Sequence, residues 1–156
     1  MMATRTLNAT LGCYTKRVLA KNVKLSDITG MKLKVFKKNS GKLAALQHSK
    51  EIPWNIERVF FITTRNTEDR GDHAHVHGSQ AFICIMGSAR LVCKDGIELR
   101  EFKIDPLDEV VVVPPGIWVN INLSSDSGLA VITDLPYDEN DYITKWDDFL
   151  KFKGLS

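Results

Sequence analysis

Short apolar runs, separated by turn residues, make up most of the chain beyond residue 57. The runs are rich in β-branched and aromatic residues and are too brief to be typical of buried helices. They occupy residues 58–63, 81–86, 90–93, 110–113 and 129–133. Glycine and proline stop them, as at Gly87-Ser88 and Pro114-Pro115-Gly116, which is typical of strands joined by tight turns. The pattern therefore predicts an all-β sandwich or barrel.

The two ends of the chain are patterned differently. Tyr142, Trp146 and Phe149 recur at helical spacing, and residues 138–141 supply acidic side chains just before them. This predicts one short amphipathic C-terminal helix, with the aromatic stripe used for packing. Residues 1–35 carry weaker signals, and we expect them to form strands or an arm exchanged with a second copy. The whole chain, 1–156, is expected to be a single domain.

Composition and charge exclude several classes of function. The net charge is +2 and there is no basic block, so no nucleic-acid partner is expected. No segment approaches the ~20 apolar residues that a membrane span requires. The three cysteines are an odd number and form no CxxC pair, which predicts neither a disulfide framework nor a zinc site. Residues 1–11 lack the apolar stretch of a signal peptide, and a cytoplasmic location is expected.

Three of the four histidines lie in one segment, Arg70-Gly71-Asp72-His73-Ala74-His75-Val76-His77. On a strand His73 and His75 would face the same way, and the small Ala74 would face a packed outer surface. His77 precedes Gly78, where the chain is expected to turn, and we expect its replacement to be near neutral. An HxH pair alone is weak evidence, because two structural histidines would give the same pattern.

The wider spacing matches two motifs of the cupin family in part. Four residues separate His75 from Gln80, and six more separate Gln80 from Gly87, as in the first motif, which has Glu at the Gln80 position. The second motif, Pro-x-Gly-x-x-His, is matched by residues 114–118 but ends here in Val119. Because Gln80 is a poor ligand and Val119 is none, we expect neither a metal nor another cofactor. The unperturbed pKa of histidine is ~6.5, so two adjacent imidazoles indicate proton transfer beside a ketone instead.

Several short pieces combine with this segment into one specific pattern. They are Gly41-Lys42-Leu43, Ile52-Pro53-Trp54, Glu57-Arg58-Val59, Arg70-Gly71-Asp72-His73-Ala74-His75, Gln80, Gly87-Ser88-Ala89-Arg90, Pro115-Gly116-Ile117-Trp118 and Tyr137-Asp138-Glu139-Asn140-Asp141-Tyr142-Ile143. On these pieces, the chain resembles the sugar 3,4-ketoisomerases that act on dTDP-4-keto-6-deoxyhexoses. The resemblance implies a cupin-type jelly-roll β-barrel that forms a homodimer, often with exchanged N-terminal strands. It also implies a metal-free shift of a ketone from C4 to C3 of the dTDP-linked sugar, in the biosynthesis of deoxyaminosugars such as those of lipopolysaccharide O-antigens.

The same resemblance assigns roles to individual residues. His73 and His75 take the positions of the catalytic pair, one of which removes the C3 proton before a proton is returned at C4. The candidate substrate-binding residues are Arg58, Arg70, Gln80, Arg90, Trp118 and Asn120. The chain departs from the family at Phe60 and Phe61, where tyrosines are frequent, and at Val119, where a histidine is frequent.

Two other functions fit parts of the pattern. A nucleotide-sugar 3,5-epimerase also removes a proton beside a ketone, although its histidine, aspartate and tyrosine cannot be placed in this sequence. A non-catalytic cupin that binds a nucleotide sugar is favoured by the missing tyrosines. Deuterium uptake from solvent would separate an enzyme from a binding module.

Overall fold

The computed structural model describes residues 20–156. Twelve strands lie in this range: β1 Thr29–Lys32, β2 Val35–Lys38, β3 Gly41–Ala44, β4 Arg58–Thr63, β5 Glu68–His75, β6 Gln80–Met86, β7 Ala89–Lys94, β8 Leu99–Ile104, β9 Glu109–Val113, β10 Trp118–Leu123, β11 Gly128–Thr133 and β12 Tyr142–Ile143. One antiparallel sheet has the order β1-β9-β6-β11-β4 and a second has the order β12-β5-β10-β7-β8, while β2 and β3 form a separate hairpin. The expected all-β jelly roll with a C-terminal helix is confirmed. Within the described residues its strands pair as a two-sheet sandwich and not as a closed barrel.

The core lies between the two sheets and explains the apolar runs. Inward side chains of both sheets, such as Phe82, Leu91 and Leu129, form one buried cluster, and each such side chain stabilises the fold by roughly 1.5–3 kcal/mol. The other face of the first sheet is covered as well, because Ile52 and Ile83 belong to a second buried cluster beside the β2–β3 hairpin. A strand buried on both faces needs no polar alternation, so β6 and β11 read as continuous apolar runs.

The C-terminal prediction is right about a helix and wrong about where it begins. The helix spans Trp146–Lys153, and Trp146 and Phe149 pack on Trp118 with ring centroids 5.3 and 5.5 Å away. Tyr142 instead lies on β12 and pairs with His75 of β5. The acidic segment forms a 3-10 turn over Glu139–Asp141, capped by the side chain of Asp138. The β-prone Tyr-Ile-Thr sequence favours this short ladder over another helical turn.

At the N-terminal end, residues 1–19 lie outside the described part of the chain, and so does most of the arm predicted for residues 1–35. Within the rest of that arm, β1 pairs with β9 of the same chain. The exchange of strands between two copies therefore stays a prediction.

The cysteines within the described range are structural. Cys84 and Cys93 are free and buried, and burial raises the pKa of the Cys93 thiol to about 12. Such a thiol stays protonated and unreactive near neutral pH, as expected of a core residue. Between residues 20 and 156, no helix has both the length and the apolar character needed to cross a membrane.

Candidate active site

The histidine strand carries a β-bulge immediately before His73. Strand β5 runs antiparallel to β10, with Val119 opposite His73 and Asn120 opposite Gly71, so that Asp72 is an extra residue. Gly71 and Asp72 both have positive φ, +81° and +58°. A side chain at Gly71 would place its Cβ 2.6 Å from the Val119 carbonyl oxygen. The bulge therefore requires glycine at position 71 and a residue that tolerates the left-handed region, such as aspartate, at position 72.

The bulge decides which side chains share the inner face of the sheet. Arg70 is paired with Ile121, and His73 with Val119, and both of these partners belong to the core between the sheets. Arg70 and His73 thus face inward together, although they are three residues apart. Regular alternation along the strand would place them on opposite faces, so the extra residue brings an arginine to the histidine pair.

The outer face of the same strands holds three residues that the sequence suggested for substrate binding. Trp118 Nε1 and Asn120 Nδ2 donate to Asp72 Oδ1 over 3.1 and 2.7 Å. Arg90 donates to Asn122 Oδ1 over 3.1 Å. These positions alternate with the inward-facing residues of β7 and β10. The structure therefore places Arg90, Trp118 and Asn120 on the face opposite the histidine pair, and we leave them out of the site.

His73 and His75 lie against each other and against one tyrosine. Their ring centroids are 5.1 Å apart in an edge-on arrangement. The Tyr142 ring lies 4.9 Å from His73 and 4.4 Å from His75. Burial lowers the pKa of His73, a hydrogen bond with the Gly71 backbone opposes this effect, and the neighbouring His75 lowers the pKa further. His73 is therefore neutral at neutral pH and able to accept a proton.

A buried carboxylate, Asp141, supports His75 from behind. Its Oδ2 lies 2.8 Å from His75 Nδ1 and accepts from the Gly78 amide over 3.1 Å. Its Oδ1 accepts from the His77 amide over 2.7 Å and lies 3.1 Å from His77 Nδ1. Burial alone would raise the pKa of Asp141, but the hydrogen bond and charge of His75, together with the two amides, hold it below its ordinary value. Asp141 is therefore a carboxylate at neutral pH.

The other nitrogen of His75 has no such support. Nε2 is buried and has no hydrogen-bond partner among the described residues. Trp54 Nε1 and Asn120 Oδ1 are also buried without a partner among the described residues, but only His75 Nε2 lies in the histidine pair. A buried polar atom without a partner is unusual in a folded protein and needs an explanation, such as a ligand or a catalytic role.

A cavity of about 270 Å³ opens between the sheets beside His73. Its walls are mostly apolar, and its polar lining comes from Arg70, His73 and Gln80. The apolar walls are Phe60, Ile62, Phe82, Val119, Ile121 and Val131. Gln80 also borders a smaller pocket that His75, Arg58 and Tyr142 line. Gln80 therefore borders both the cavity beside His73 and the pocket beside His75.

Arg58 is held by aromatic rings at the rim of the smaller pocket. Its guanidinium lies 4.5 Å from the centre of the Phe60 ring and 5.1 Å from that of Tyr137. Phe60 lines the cavity, whereas Phe61 faces outward and is 67% exposed. Phe60 and Phe61 both stand where tyrosines are frequent in the family, but only Phe60 lies at the site. Tyr142 supplies a phenol ring beside the histidines from a different strand.

The donor set does not suit a metal ion. Val119 presents methyl groups directly across from His73, and Gln80 offers only a neutral amide. Within residues 20–156 no cluster of three or more His, Cys, Asp or Glu side chains is arranged to hold an ion.

Sequence reasoning missed Asp141 and Tyr142 as residues of the site. Both lie 64 or more positions beyond His75 along the chain and reach it only because β12 pairs with β5. A usable signal was present, since Asp-Tyr-Ile is an acidic residue followed by a strand-forming pair and not by a helical repeat.

Comparison with known proteins places these residues in a family. Residues 22–154 match the family described as FdtA: WxcM-like, C-terminal. The chain is 37% identical over 114 residues to a TDP-4-oxo-6-deoxy-alpha-D-glucose-3,4-oxoisomerase of Aneurinibacillus thermoaerophilus, covering 72% of this chain and 82% of that protein. A 3,4-ketoisomerase structure from Helicobacter canadensis superposes with a TM-score of 0.77 at 30% identity, covering 82% of this chain and 98% of that one.

A second solved structure has a bound sugar nucleotide. It is a mutant of the 3,4-ketoisomerase QdtA of Thermoanaerobacterium thermosaccharolyticum in complex with TDP-4-keto-6-deoxyglucose. Its TM-score is 0.76 at 25% identity, with 82% of this chain and 94% of that one covered. The matches favour an isomerase over the epimerase considered from the sequence. The chain belongs to the WxcM-like family of sugar 3,4-ketoisomerases.

Proposed function

We propose that this protein is a sugar 3,4-ketoisomerase that converts a dTDP-4-keto-6-deoxyhexose into its 3-keto isomer. The observation that carries the proposal is the pair of adjacent imidazoles, His73 and His75, on the inner face beside a cavity. The reaction moves two protons, because the hydrogen on C3 is replaced by one on C4 while the hydroxyl proton on O3 is replaced by one on O4. Two adjacent imidazoles, each able to accept a proton on one nitrogen and donate one from the other, suit this exchange.

In this proposal, His75 removes the proton from C3. Its Nε2 is buried without a partner, and its Nδ1 is already engaged by Asp141. Loss of the C3 proton gives an enediolate that spans C3 and C4. A proton then adds to C4, while O3 becomes the new carbonyl oxygen. His73, which is neutral and in contact with His75, carries protons to and from the oxygens.

Two arginines are the candidates for the diphosphate. Arg70 reaches the cavity lining and pairs with Glu68 at its rim over 2.9 Å. Arg58 is held against two rings beside the smaller pocket. A guanidinium fork matches the oxygens of a diphosphate. An aromatic neighbour already restricts the arginine side chain, so less conformational entropy is lost when the ligand binds. Gln80 is the candidate for hydrogen bonding to the sugar between them.

The decisive experiment is incubation of the purified protein with dTDP-4-keto-6-deoxyglucose in D₂O, followed by NMR at the sugar carbons. A ketoisomerase gives a 3-keto sugar that carries deuterium at C4. An epimerase would leave the ketone at C4 and place deuterium at C3 and C5. A binding module would show neither product nor exchange, and either of these last two results would refute the proposal. Treatment with a chelator is expected to leave the rate unchanged.

The proposed assembly is a homodimer. Among residues 20–156, strand β4 is an edge of its sheet and exposes Val59 and Phe61, which are 46% and 67% accessible. An exposed apolar edge strand favours pairing with another chain. Sedimentation at micromolar concentration should show twice the 17.6 kDa mass of the chain, and a single species at the chain mass would contradict the dimer.

The proposed setting is the cytoplasm. Free, buried thiols are typical of proteins in a reducing compartment.

A ketone at C3 is the group that an amino donor can convert to an amine, so the product suits the biosynthesis of deoxyaminosugars.

A further inference from the structure

The carboxylate of Asp141 has donors on both oxygens, and two of them cannot change their role. The amides of His77 and Gly78 each point a fixed N–H at the carboxylate, over 2.7 and 3.1 Å. Gly78 permits this approach, because a Cβ there would lie 2.9 Å from Asp141 Oδ2. The orientation of the carboxylate is therefore set by the backbone before either histidine ring contributes.

The chain path fixes Asp141 against the histidine strand as well. The Val76 amide donates to the Asp141 carbonyl over 2.9 Å, and the next residue, Tyr142, pairs with His75 in the β5–β12 ladder. The side chains of His75 and Asp141 are only 11% and 10% exposed. Little water reaches this contact to compete with the hydrogen bond.

These contacts determine which nitrogen of His75 carries a proton. An ionised carboxylate can only accept hydrogen bonds, so the contact of 2.8 Å requires the proton on Nδ1. In a neutral ring the lone pair is then on Nε2, which is the buried nitrogen without a partner. When that nitrogen takes a proton, the imidazolium forms next to a negative charge that stabilises it.

We propose that Asp141 is a positioning residue that holds His75 in the tautomer with a basic Nε2, and that His77 completes the hydrogen bonds of the same carboxylate. The proposal rests on the ketoisomerase function for its kinetic consequence. Its structural consequence, the tautomer of His75, does not depend on that function.

The test uses Asp141→Asn, with Asp138→Asn as the matched control. Both changes replace a carboxylate by an amide in one short turn, and an asparagine at position 138 can still cap that turn. In Asp141→Asn one carboxylate oxygen becomes an NH₂ group. This group is a donor and cannot accept the hydrogen bonds that the oxygen accepts in the wild type. We expect kcat to fall roughly 10²–10⁴-fold, with KM changed less than threefold. Asp138 borders the same smaller pocket, so the control is judged by the tautomer, and Asp138→Asn should keep that of wild-type His75.

The tautomer of His75 is measured from the ¹⁵N spectrum of the histidine rings, which a purely structural role of Asp141 would leave unchanged. The His75 signals are identified by their absence in His75→Asn. In the neutral form of the wild-type ring we expect His75 to show a protonated Nδ1 and an unprotonated Nε2. In Asp141→Asn this preference should be lost. An unchanged tautomer in the variant, or a kcat within threefold of the wild type, would overturn the positioning role.

The wild-type spectrum also decides the matter if Asp141→Asn does not fold, since a neutral His75 ring with its proton on Nε2 contradicts the proposal outright. The two proposals can fail separately. An inactive wild type with the expected tautomer refutes only the ketoisomerase, whereas an active wild type with the opposite tautomer refutes only the role of Asp141.

Discussion

The two faces of the β5–β10 strand pair have opposite characters, although they are built from neighbouring residues. The inner face carries Arg70, His73 and Val119 toward a cavity. The outer face carries Trp118 and Asn120, whose side chains donate to Asp72. Inside, polar groups line the cavity, whereas outside Trp118 and Asn120 donate to Asp72 and the Trp118 ring packs on Phe149 of the C-terminal helix. The Asn120 Oδ1 atom is buried and has no hydrogen-bond partner among the described residues. A candidate residue on a strand must therefore be assigned to one face of the sheet before it is assigned a role.

The bulge joins the two faces. Asp72 is the residue in excess of the ladder, and its carboxylate is held by outer-face donors. Its insertion is what turns Arg70 toward His73. The outer face therefore supports the inner one through backbone geometry.

The largest effect is expected on the inner face, from His75→Asn and His73→Asn. Each should lower kcat roughly 10²–10⁴-fold, because each removes a general acid–base group. The two variants should differ in D₂O. His75→Asn should lose deuterium exchange at C3, while His73→Asn should retain part of it without forming product at the normal rate.

Steady-state kinetics and NMR of the recovered sugar measure both effects, with the melting temperature as a control for folding. Wild-type turnover in both variants would remove the histidine pair from the mechanism and favour the binding module.

The next largest effect should be on substrate affinity, from Arg70→Lys. A lysine keeps the charge but loses the planar fork that fits two phosphate oxygens. We expect KM to rise roughly 10–100-fold, which is the loss of about 1.5–3 kcal/mol for hydrogen bonds to a charged group. TDP should inhibit the variant correspondingly more weakly. If kcat falls instead while KM is unchanged, then Arg70 acts on the sugar and not on the diphosphate.

A smaller effect, and mainly on stability, is expected on the outer face from Asp72→Ala. The substitution removes two hydrogen bonds and leaves a non-glycine residue with φ of +58°. We expect the free energy of unfolding to fall by about 1–3 kcal/mol. Asp72→Gly loses the same hydrogen bonds but relieves the backbone, so it should be about 1 kcal/mol more stable than Asp72→Ala.

Urea denaturation compares the two Asp72 variants, and both should keep kcat within tenfold of the wild type. A loss of turnover as large as that of the histidine variants would show that the two faces are not separable.

These faces mark the limit of what the sequence could predict. Strands β4, β6, β7, β9 and β11 followed from local composition, whereas β2, β3, β8, β10 and β12 were not predicted. The shared face of His73 and His75 followed from their spacing alone. The bulge did not, because its evidence is one Gly-Asp pair whose positive φ values depend on the partner strand. Trp118, Asn120 and Arg90 were therefore grouped with the site although alternation on β7 and β10 turns them outward.

Asp141 and His77 show a second limit, which is distance along the chain. The turn at Gly78 was expected to separate His77 from the chemistry, but the fold returns a carboxylate to both His75 and His77. Periodicity describes neighbours within one element and carries no information on a strand that arrives 64 or more residues later. His77 is accordingly no longer a neutral control, and Asp138 is the better one.

A still smaller effect should appear in the dependence of stability on pH. Burial lowers the pKa of folded His73, whereas the unfolded residue titrates near its ordinary value of about 6.5. As the pH falls below that value, the unfolded chain binds the proton first, so the free energy of unfolding decreases. His73→Asn lacks this group and should lose less stability between pH 7 and pH 5, as measured by urea denaturation at each pH. An identical pH dependence in both proteins would mean that His73 is as hydrated as in the unfolded chain.

The smallest effect is expected from Arg90→Ala. Arg90 lies on the outer face, where it donates to Asn122 and faces Glu101 at 3.6 Å. Both members of that ion pair are about half exposed, and exposed pairs contribute only about 0–1 kcal/mol because solvent screens them. We therefore expect the unfolding free energy to change by less than about 1 kcal/mol, and kcat and KM to stay within twofold of the wild type. Denaturation and steady-state kinetics on the same preparation check both. A tenfold rise in KM would mean that the outer face contacts the substrate. The two faces would then have to be compared in a dimer, where the outer face of one subunit can border the cavity of the other.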